Sequence, residues 1–263
     1  MQKNEIWTIR KVLEWTRSYL TEKGVENARL ESEWLLAHSL GTDRVGLYVS
    51  FDKPLEAAEL AAFRGLVIRR ARREPLQYIL GTQEFFGLEF EVTPAVLIPR
   101  HDTEVLVEEA LRVASGAGTI LDIGAGSGCI AVALAKKLPE AAVTAVDVSA
   151  EALAVASRNA ARHGVSVELL EGSLFGPVSG RKFDLVVSNP PYIPAGEIAG
   201  LQAEVKGFEP AGALDGGADG LDFYRAIVSA APAHLNPGGW LILEVGAGQA
   251  GQVSRMLAEA GFG

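Results

Sequence analysis

The chain has 263 residues, 48% hydrophobic and 22% charged, with a formal net charge of −9 and a single cysteine. That length suffices for one large or two small domains with a sizeable core. The totals exclude an intrachain disulfide, and the lack of any apolar run of about 18 residues excludes a membrane-spanning helix.

The charge is uneven. Residues 1–80 hold 13 basic and 11 acidic side chains, and the remainder holds 11 and 22. A body carrying −11 is a poor generic binder of nucleic acid, because neutralisation of phosphates dominates such affinity. The opening stretch "MQKNEIWTIRKVLEW" has charges of both signs and no apolar centre, so it does not read as a signal peptide. One cysteine suits a reducing compartment, and a cytoplasmic location is expected. Cys129, His38, His101, His163 and His234 show no ligand spacing, so no metal is expected.

Residues 5 to about 73 read as helical. Ile6, Ile9, Leu13 and Leu20 recur at helical spacing, as do Leu30, Trp34 and Leu40, with Gly24 and Gly41 as punctuation. Pro54 suits the first turn of a third long helix, "PLEAAELAAFRGLVIRRARRE". Its basic run Arg69, Arg70, Arg72 and Arg73 reads either as a solvated face or as a dock for an acidic partner. Next, "TQEFFGLEFEV" gives a hairpin around Gly87, and a helix begins near Asp102 or Thr103, either of which suits the N-cap. The expected domains are a helical one over 1–80, a hairpin linker over 81–97 and a third region over 98–263.

From residue 119 strands alternate with helices, the pattern of an α/β, mostly parallel, doubly wound sheet. Ligands of such sheets bind beyond the carboxyl ends of the strands. The unusual residues fall there: Gly124 to Gly128, Asp147, Ser173 with Leu174, and Asn189 to Tyr192. "LDIGAGSGC" spaces its glycines as G-x-G-x-G, whereas a dinucleotide fingerprint needs glycine where Cys129 stands. Asp147 ends the next strand, near the spacing of an acid that binds a ribose diol. Together they describe a nucleoside site without a pyrophosphate requirement, which S-adenosylmethionine fits. Asp122 either contacts that ligand or caps loop N–H groups. Cys129 reads as a packing residue. "EVGAGQAG" repeats the glycine texture but no acid-ended strand follows it, so it reads as a turn, with a substrate-side role for Glu244 as the alternative.

"SNPPYIP" ends another strand with two prolines, which lack the ladder N–H. Methyl transfer from a sulfonium is an in-line displacement in which the enzyme mainly orients the acceptor. A planar amide or amino nitrogen is a weak nucleophile. The Asn189 side-chain oxygen and the Pro190 carbonyl are suited to grip its two hydrogens, Pro191 stiffens the loop, and Tyr192 is suited to cover its flat face.

With these residues in place, the chain resembles the protein-(glutamine-N5) methyltransferases of peptide chain release factors. The resemblance runs from about residue 26 onward through "REPLQYILG", "EFFGLEFEVTPAVLIPRHDTE", "LDIGAGSGCIAVALA", "SNPPYIP", "FEPAGALDGGADGLDFYR" and "GGWLILEVGAGQAGQV". It implies a Rossmann-like class I methyltransferase domain behind a helical, substrate-docking domain. It further implies S-adenosylmethionine as donor, S-adenosylhomocysteine as product, and the glutamine of a Gly-Gly-Gln tripeptide in class 1 release factors as acceptor. Carried over by position, Gly124, Ala125, Gly126, Ser127, Gly128, Asp147, Leu174, Asn189 and Arg100 match cofactor positions, with Leu174 at the place facing the adenine. Asn189, Pro190, Pro191 and Tyr192 match the glutamine-binding motif, with Asn189, Pro190 and Tyr192 as the catalytic set. His101 departs from a usual proline and Ser173 from a usual acid, and the family pattern runs about two strands beyond Gly263. The alternative, adenine-N6 methylation of nucleic acid, shares the Asn-Pro-Pro-Tyr motif but conflicts with the acidic body and the lack of a target-recognition domain.

Overall fold

A computed structural model describes residues 6–114 and 116–263, and the chain divides into two compact units at the Gly81–Thr82 junction. The first unit is helical: α1 (Ile9–Glu22), α2 (Ala28–Leu40), α3 (Arg44–Val49), α4 (Ala57–Ala71) and α5 (Leu76–Leu80). Leu20, Leu35, Leu36 and Leu47 are fully buried at its centre, each contributing about 1.5–3 kcal/mol by burial.

Two local expectations for this unit are corrected. Leu30, Trp34 and Leu40 do fall within one helix, α2, although Leu30 and Trp34 are 41% and 44% exposed beside the inward Leu35 and Leu36. Pro54 lies outside α4, which starts at Ala57 behind a capping box of Glu56 and Glu59. The arginine run is an internal brace: Arg70 is buried and paired with Glu31, Arg69 pairs with Glu74 at 2.5 Å, and Arg73 Nη1 donates to the Gly24 carbonyl. Arg72 is exposed and the Arg69 side chain is 43% so, and the run as a whole is not a fully solvated face.

The second unit opens with a hairpin, β1 (Thr82–Phe85) and β2 (Leu88–Glu91), paired antiparallel. Its two-residue turn, Phe86–Gly87, has φ of 53° and 69°, the left-handed pair that matches strand twist. α6 (Asp102–Val113) follows, then β3 (Thr119–Ile123), α7 (Cys129–Lys137), β4 (Ala142–Asp147), α8 (Ala150–His163), β5 (Glu168–Glu171) and β6 (Phe183–Ser188). A short α9 (Ala203–Phe208), α10 (Asp222–His234), β7 (Leu235–Leu243) and α11 (Ala250–Glu259) complete it. The five strands β3 to β7 form one parallel sheet in the order β5-β4-β3-β6-β7. Helices cover both faces, so β3 and β6 are near-continuously buried.

At the amino ends of the strands, Asp184 on β6 accepts from the Gly118 and Thr119 amides, from the Thr119 hydroxyl and from Asn236 Nδ2. These bonds hold its carboxyl below the usual range, Asn236 contributing most. The chain winds outward from β3 in one direction through β4 and β5, then reverses to β6 and β7. The crevice at that reversal lies above the carboxyl ends of β3 and β6. Among the described residues, no helix is long and apolar enough to cross a membrane.

Candidate active site

The loop after β3 supplies one wall of the crevice. Gly124 and Ala125 donate their amides to the Val146 carbonyl at 2.8 and 3.0 Å, which ties the loop to β4. Gly128 has φ of 77°, and a Cβ there would stand 2.9 Å from Ala156 Cβ, so only glycine permits both the turn and the approach of α8. Asn159, fully buried on α8, donates to the Ser127 carbonyl at 2.9 Å. The same side chain exchanges hydrogen bonds with the Glu91 backbone, so it links the glycine loop to the hairpin.

Asp147 ends β4 with its carboxylate facing this loop. Its Oδ2 accepts from the Gly126 amide at 2.8 Å and its Oδ1 from the Ser149 amide at 2.9 Å. Each oxygen retains a free lone pair, the requirement for a diol ligand. Asp122, fully buried, accepts from the Ala131 amide at 3.1 Å through Oδ2 and so caps the start of α7, while Oδ1 has no partner. Burial raises its pKa to about 7, and the Asp147 charge adds to the rise. Ser127 Oγ is likewise buried without a partner. Burial pushes the Cys129 thiol up to about 12, which leaves no thiolate at neutral pH.

Leu174, in the loop after β5, has φ of 50°, an uncommon conformation for a side chain of this size. It packs on the apolar cluster of Phe175, Val178 and Ile227, whereas Ser173 beside it is exposed.

The Asn-Pro-Pro-Tyr loop follows β6. Ser188 donates its hydroxyl to the Ile123 carbonyl at 2.7 Å, and a Cβ on Gly124 would lie 4.0 Å from the Asn189 carbonyl, so the two loops are neighbours. Asn189 Nδ2 donates to Thr103 Oγ1 at 3.1 Å, which leaves Oδ1 free to accept. Pro190 is buried and Pro191 partly so. Tyr192 is half-buried against Leu221, Tyr224 and Val253, and burial raises its pKa ahead of the effect of the Glu244 charge.

Beyond Tyr192 the backbone pairs with a second segment: Ile193 donates to Leu214 at 3.0 Å, and Gly216 donates back to Ile193 at 2.9 Å. Gly220 has φ of 76°, and a Cβ there would come within 2.3 Å of the Tyr192 carbonyl. Gln249 completes the bracing, with Nε2 donating to Tyr192 O at 2.9 Å and Oε1 accepting from the Gly246 amide at 3.1 Å. The "EVGAGQAG" turn therefore buttresses the Asn-Pro-Pro-Tyr loop.

Arg100 pairs with the buried Glu209 at 2.5 Å, and its charge acts on Tyr192 and Glu244. The start of α6 differs from expectation. His101 occupies the N-cap with no side-chain cap bond, and Asp102 and Thr103 lie inside the first turn, the Thr103 hydroxyl accepting from Asn189. Thr103, Asn159 and Gln249 were not legible as site residues, since none belongs to a motif with its own chemistry.

Two family models match: the PrmC N-terminal domain over residues 11–81 and the methyltransferase small domain over residues 101–204. The release factor glutamine methyltransferase of Geobacter sulfurreducens is 69% identical, covering 99% of this chain and 92% of that protein. The chain belongs to the release factor glutamine methyltransferases. The member of this family from Chlorobaculum tepidum is 42% identical over 99% of this chain and 92% of its own length. A solved methyltransferase from Pyrococcus furiosus matches with a TM-score of 0.52 at 24% identity, covering 74% of this chain and 87% of that one. Its likeness concerns the fold, a class I methyltransferase sheet. In this chain the helical unit and strands β3 to β6 thus fall to separate family models, with β7 beyond the second match.

Proposed function

We propose that this chain methylates the side-chain nitrogen (N5) of the glutamine in the Gly-Gly-Gln tripeptide of class 1 peptide chain release factors, with S-adenosylmethionine as donor, and thereby modulates translation termination. The observation that carries the reading is the polarity of Asn189. Its Nδ2 is tethered to Thr103, so its Oδ1 is the end left to accept an N–H beside the glycine loop. The Pro190 carbonyl supplies the second acceptor on the same rigid loop.

The crevice suits the donor. Asp147 keeps one lone pair on each oxygen for ribose hydroxyls, and Asp122 Oδ1 and Ser127 Oγ are buried polar atoms lacking partners behind the loop. The backbone from Gly124 to Gly128 approaches closely, and Leu174 offers an apolar contact for the adenine. The bound sulfonium supplies an activated methyl group. Asn189 and Pro190 orient the acceptor nitrogen and favour the positive charge that builds on it. Tyr192 lies along the acceptor, and Arg100, locked by Glu209, stands at the mouth. The acceptor nitrogen loses its proton after transfer, when it has become acidic.

The helical unit is proposed to dock the release factor. The acidic second unit is proposed to form no stable nucleic-acid complex, and the action on a translation factor points to the cytoplasm. Adenine-N6 methylation of nucleic acid is not favoured, because the relatives are named for release factor glutamine. The test is methylation with labelled S-adenosylmethionine, offering isolated release factor or DNA. Methyl incorporation at the Gly-Gly-Gln glutamine, located by mass spectrometry, is expected. Label on DNA, or on neither substrate, overturns the proposal.

A further inference from the structure

Two braces hold the Asn-Pro-Pro-Tyr loop, and they meet at one buried carboxylate. At one end, Asn189 Nδ2 donates to Thr103 Oγ1 at 3.1 Å, and the Thr103 amide donates to the Arg100 carbonyl at 3.1 Å. At the other, the Ile193 amide donates to the Leu214 carbonyl at 3.0 Å, and the Ile193 carbonyl accepts from the Gly216 amide at 2.9 Å. Glu209 immediately precedes the turn that carries Leu214, in which Ala213 and Leu214 donate to the Pro210 and Ala211 carbonyls. Its Oε1 accepts from Arg100 Nη2 at 2.5 Å, across 109 residues of sequence. The links therefore run from Asn189 through Thr103, Arg100, Glu209 and Leu214 to Ile193, and the chain from Ile193 back to Asn189 closes the ring.

The Glu209 side chain is 1% exposed, and its Oε2 has no partner among the described residues. A buried carboxylate is costly to leave unpaired, so Arg100 cannot swing away without stranding it. Arg100 is thus pinned, and its carbonyl takes the Thr103 amide, one of the first-turn donors that a helix cannot satisfy itself. The position of the Thr103 hydroxyl is therefore tied to Glu209. So is Ile193, whose N–H and C=O are both taken by the segment that follows Glu209. Gly216 permits this approach, since a Cβ there would stand 2.8 Å from Tyr192 Cα. Between the two anchors Pro190 and Pro191 have fixed φ, so the loop transmits a change in their spacing.

We propose that Glu209 is a positioning residue of the transfer step. Through Arg100 and the turn that follows it, Glu209 sets the distance between the two anchors of the loop. That distance fixes the aim of Asn189 Oδ1 and the Pro190 carbonyl at the acceptor nitrogen. This rests on the reading that Asn189 grips the glutamine amide. The glycine loop lies outside the ring. Gly124 and Ala125 are held by the Val146 carbonyl, and Asp147 by the Gly126 and Ser149 amides. Opening the ring therefore acts chiefly on the rate of transfer, because small misplacements of reacting groups cost large factors.

The test uses the full chain, S-adenosylmethionine and an isolated release factor. Single-turnover rates are read with both saturating and well below the melting temperature, with calorimetry of the cofactor in parallel. Glu209→Ala removes the link. It is expected to slow transfer by roughly 10–100-fold, the range for a reacting group displaced by about 1 Å, while cofactor affinity falls far less. Glu209→Gln keeps an acceptor for Arg100 and should recover a large part of the lost rate. A contact that served stability alone would lower the melting temperature and leave the rate of the folded enzyme at the wild-type value. That outcome overturns the proposal, as does a Glu209→Gln no faster than Glu209→Ala, or a loss of cofactor affinity as large as the loss of rate. If Glu209→Ala does not fold, Glu209→Asp, whose carboxylate falls one methylene short of Arg100, takes its place in each comparison. Asn189→Ala in the same assay separates the two levels. A wild-type rate there defeats the grip itself, whereas a collapse there beside a wild-type rate in Glu209→Ala defeats only the positioning.

Discussion

The side-chain amide of Gln249 holds the carbonyl of Tyr192 at 2.9 Å across 57 residues of chain, with its other end anchored on the Gly246 amide. One buried side chain thus connects the turn after β7 to the loop after β6. Its loss leaves the Tyr192 and Gly220 carbonyls without their donor. Gln249→Ala is expected to destabilise the protein by about 1–3 kcal/mol, the cost of stranding buried polar groups. It should also lower kcat for release factor more than it weakens cofactor binding. Thermal melts and steady-state kinetics check both, and unchanged kinetics would show that the loop holds its shape unaided.

Asn189→Ala should leave the melting temperature near wild type and weaken cofactor binding far less than it slows transfer. On the proposed reading, the Asn189 bond strengthens as the acceptor nitrogen becomes cationic, so its loss is felt in the transition state. Removing one aimed group of this kind costs on the order of 10²–10³ in rate. Single-turnover rates with saturating cofactor read the effect directly.

Asp147→Ala should weaken S-adenosylmethionine binding by about 1–3 kcal/mol through loss of hydrogen bonds to a charged acceptor. Because Asp147 also holds the Gly126 and Ser149 amides, Asp147→Asn is the cleaner companion variant. Calorimetry showing wild-type affinity in both would remove Asp147 from the cofactor site.

Asp122 makes stability depend on pH. Its pKa is raised from 3.8 to about 7, chiefly by burial, so the folded state favours the neutral acid. The associated stability is fully present below 3.8 and is lost as pH rises through about 7. Asp122→Asn, neutral throughout, should therefore gain on the wild type between pH 5 and pH 8, by on the order of 1–3 kcal/mol in the cofactor-free protein. Parallel melting curves across that range check the sign.

Gly128→Ala meets two separate obstacles, a φ of 77° and a contact of 2.9 Å with Ala156 Cβ. A loss of about 1–3 kcal/mol is expected. Ala156→Gly added to it should recover the steric part and leave the backbone part. Full recovery in the double variant would show that φ costs nothing there.

The sheet, its strand-end loops and the helical unit were all legible, because strand–loop–helix alternation and 3.6-residue spacing are local signals. The motif residues were legible for the same reason, since Gly124 to Gly128 and Asn189 to Tyr192 are contiguous. What escaped was the bracing. Asn159 and Gln249 act on carbonyls 32 and 57 residues away, and no local pattern marks a side chain that serves a distant backbone. Leu30 and Trp34 marked the helix but not its buried face, because α2 buries Ser32 and Glu33 together with its leucines, which blurs the apolar stripe. The arginine run misled because a cluster of like charges gives no hint that Glu31, Glu74 and the Gly24 carbonyl will fold onto it.

The Asp184 clamp lies at the amino ends of the strands, away from the strand-end loops, and it ties together segments far apart in the sequence. Its partners stand 65 or 66 residues before it and 52 after it, and through it β3, β6 and β7 share one carboxylate. Contacts of such long sequence separation form only after large loops have closed, which makes them slow steps of folding. A chain emerging from the ribosome can assemble β3, β4 and β5 early, but the clamp closes only once Asn236 is available. The same closure seats β7 beside β6 and brings Glu244 and Gln249 to the acceptor loop. On the proposed reading of the site, the braces on the acceptor loop therefore come from the part of the chain made last.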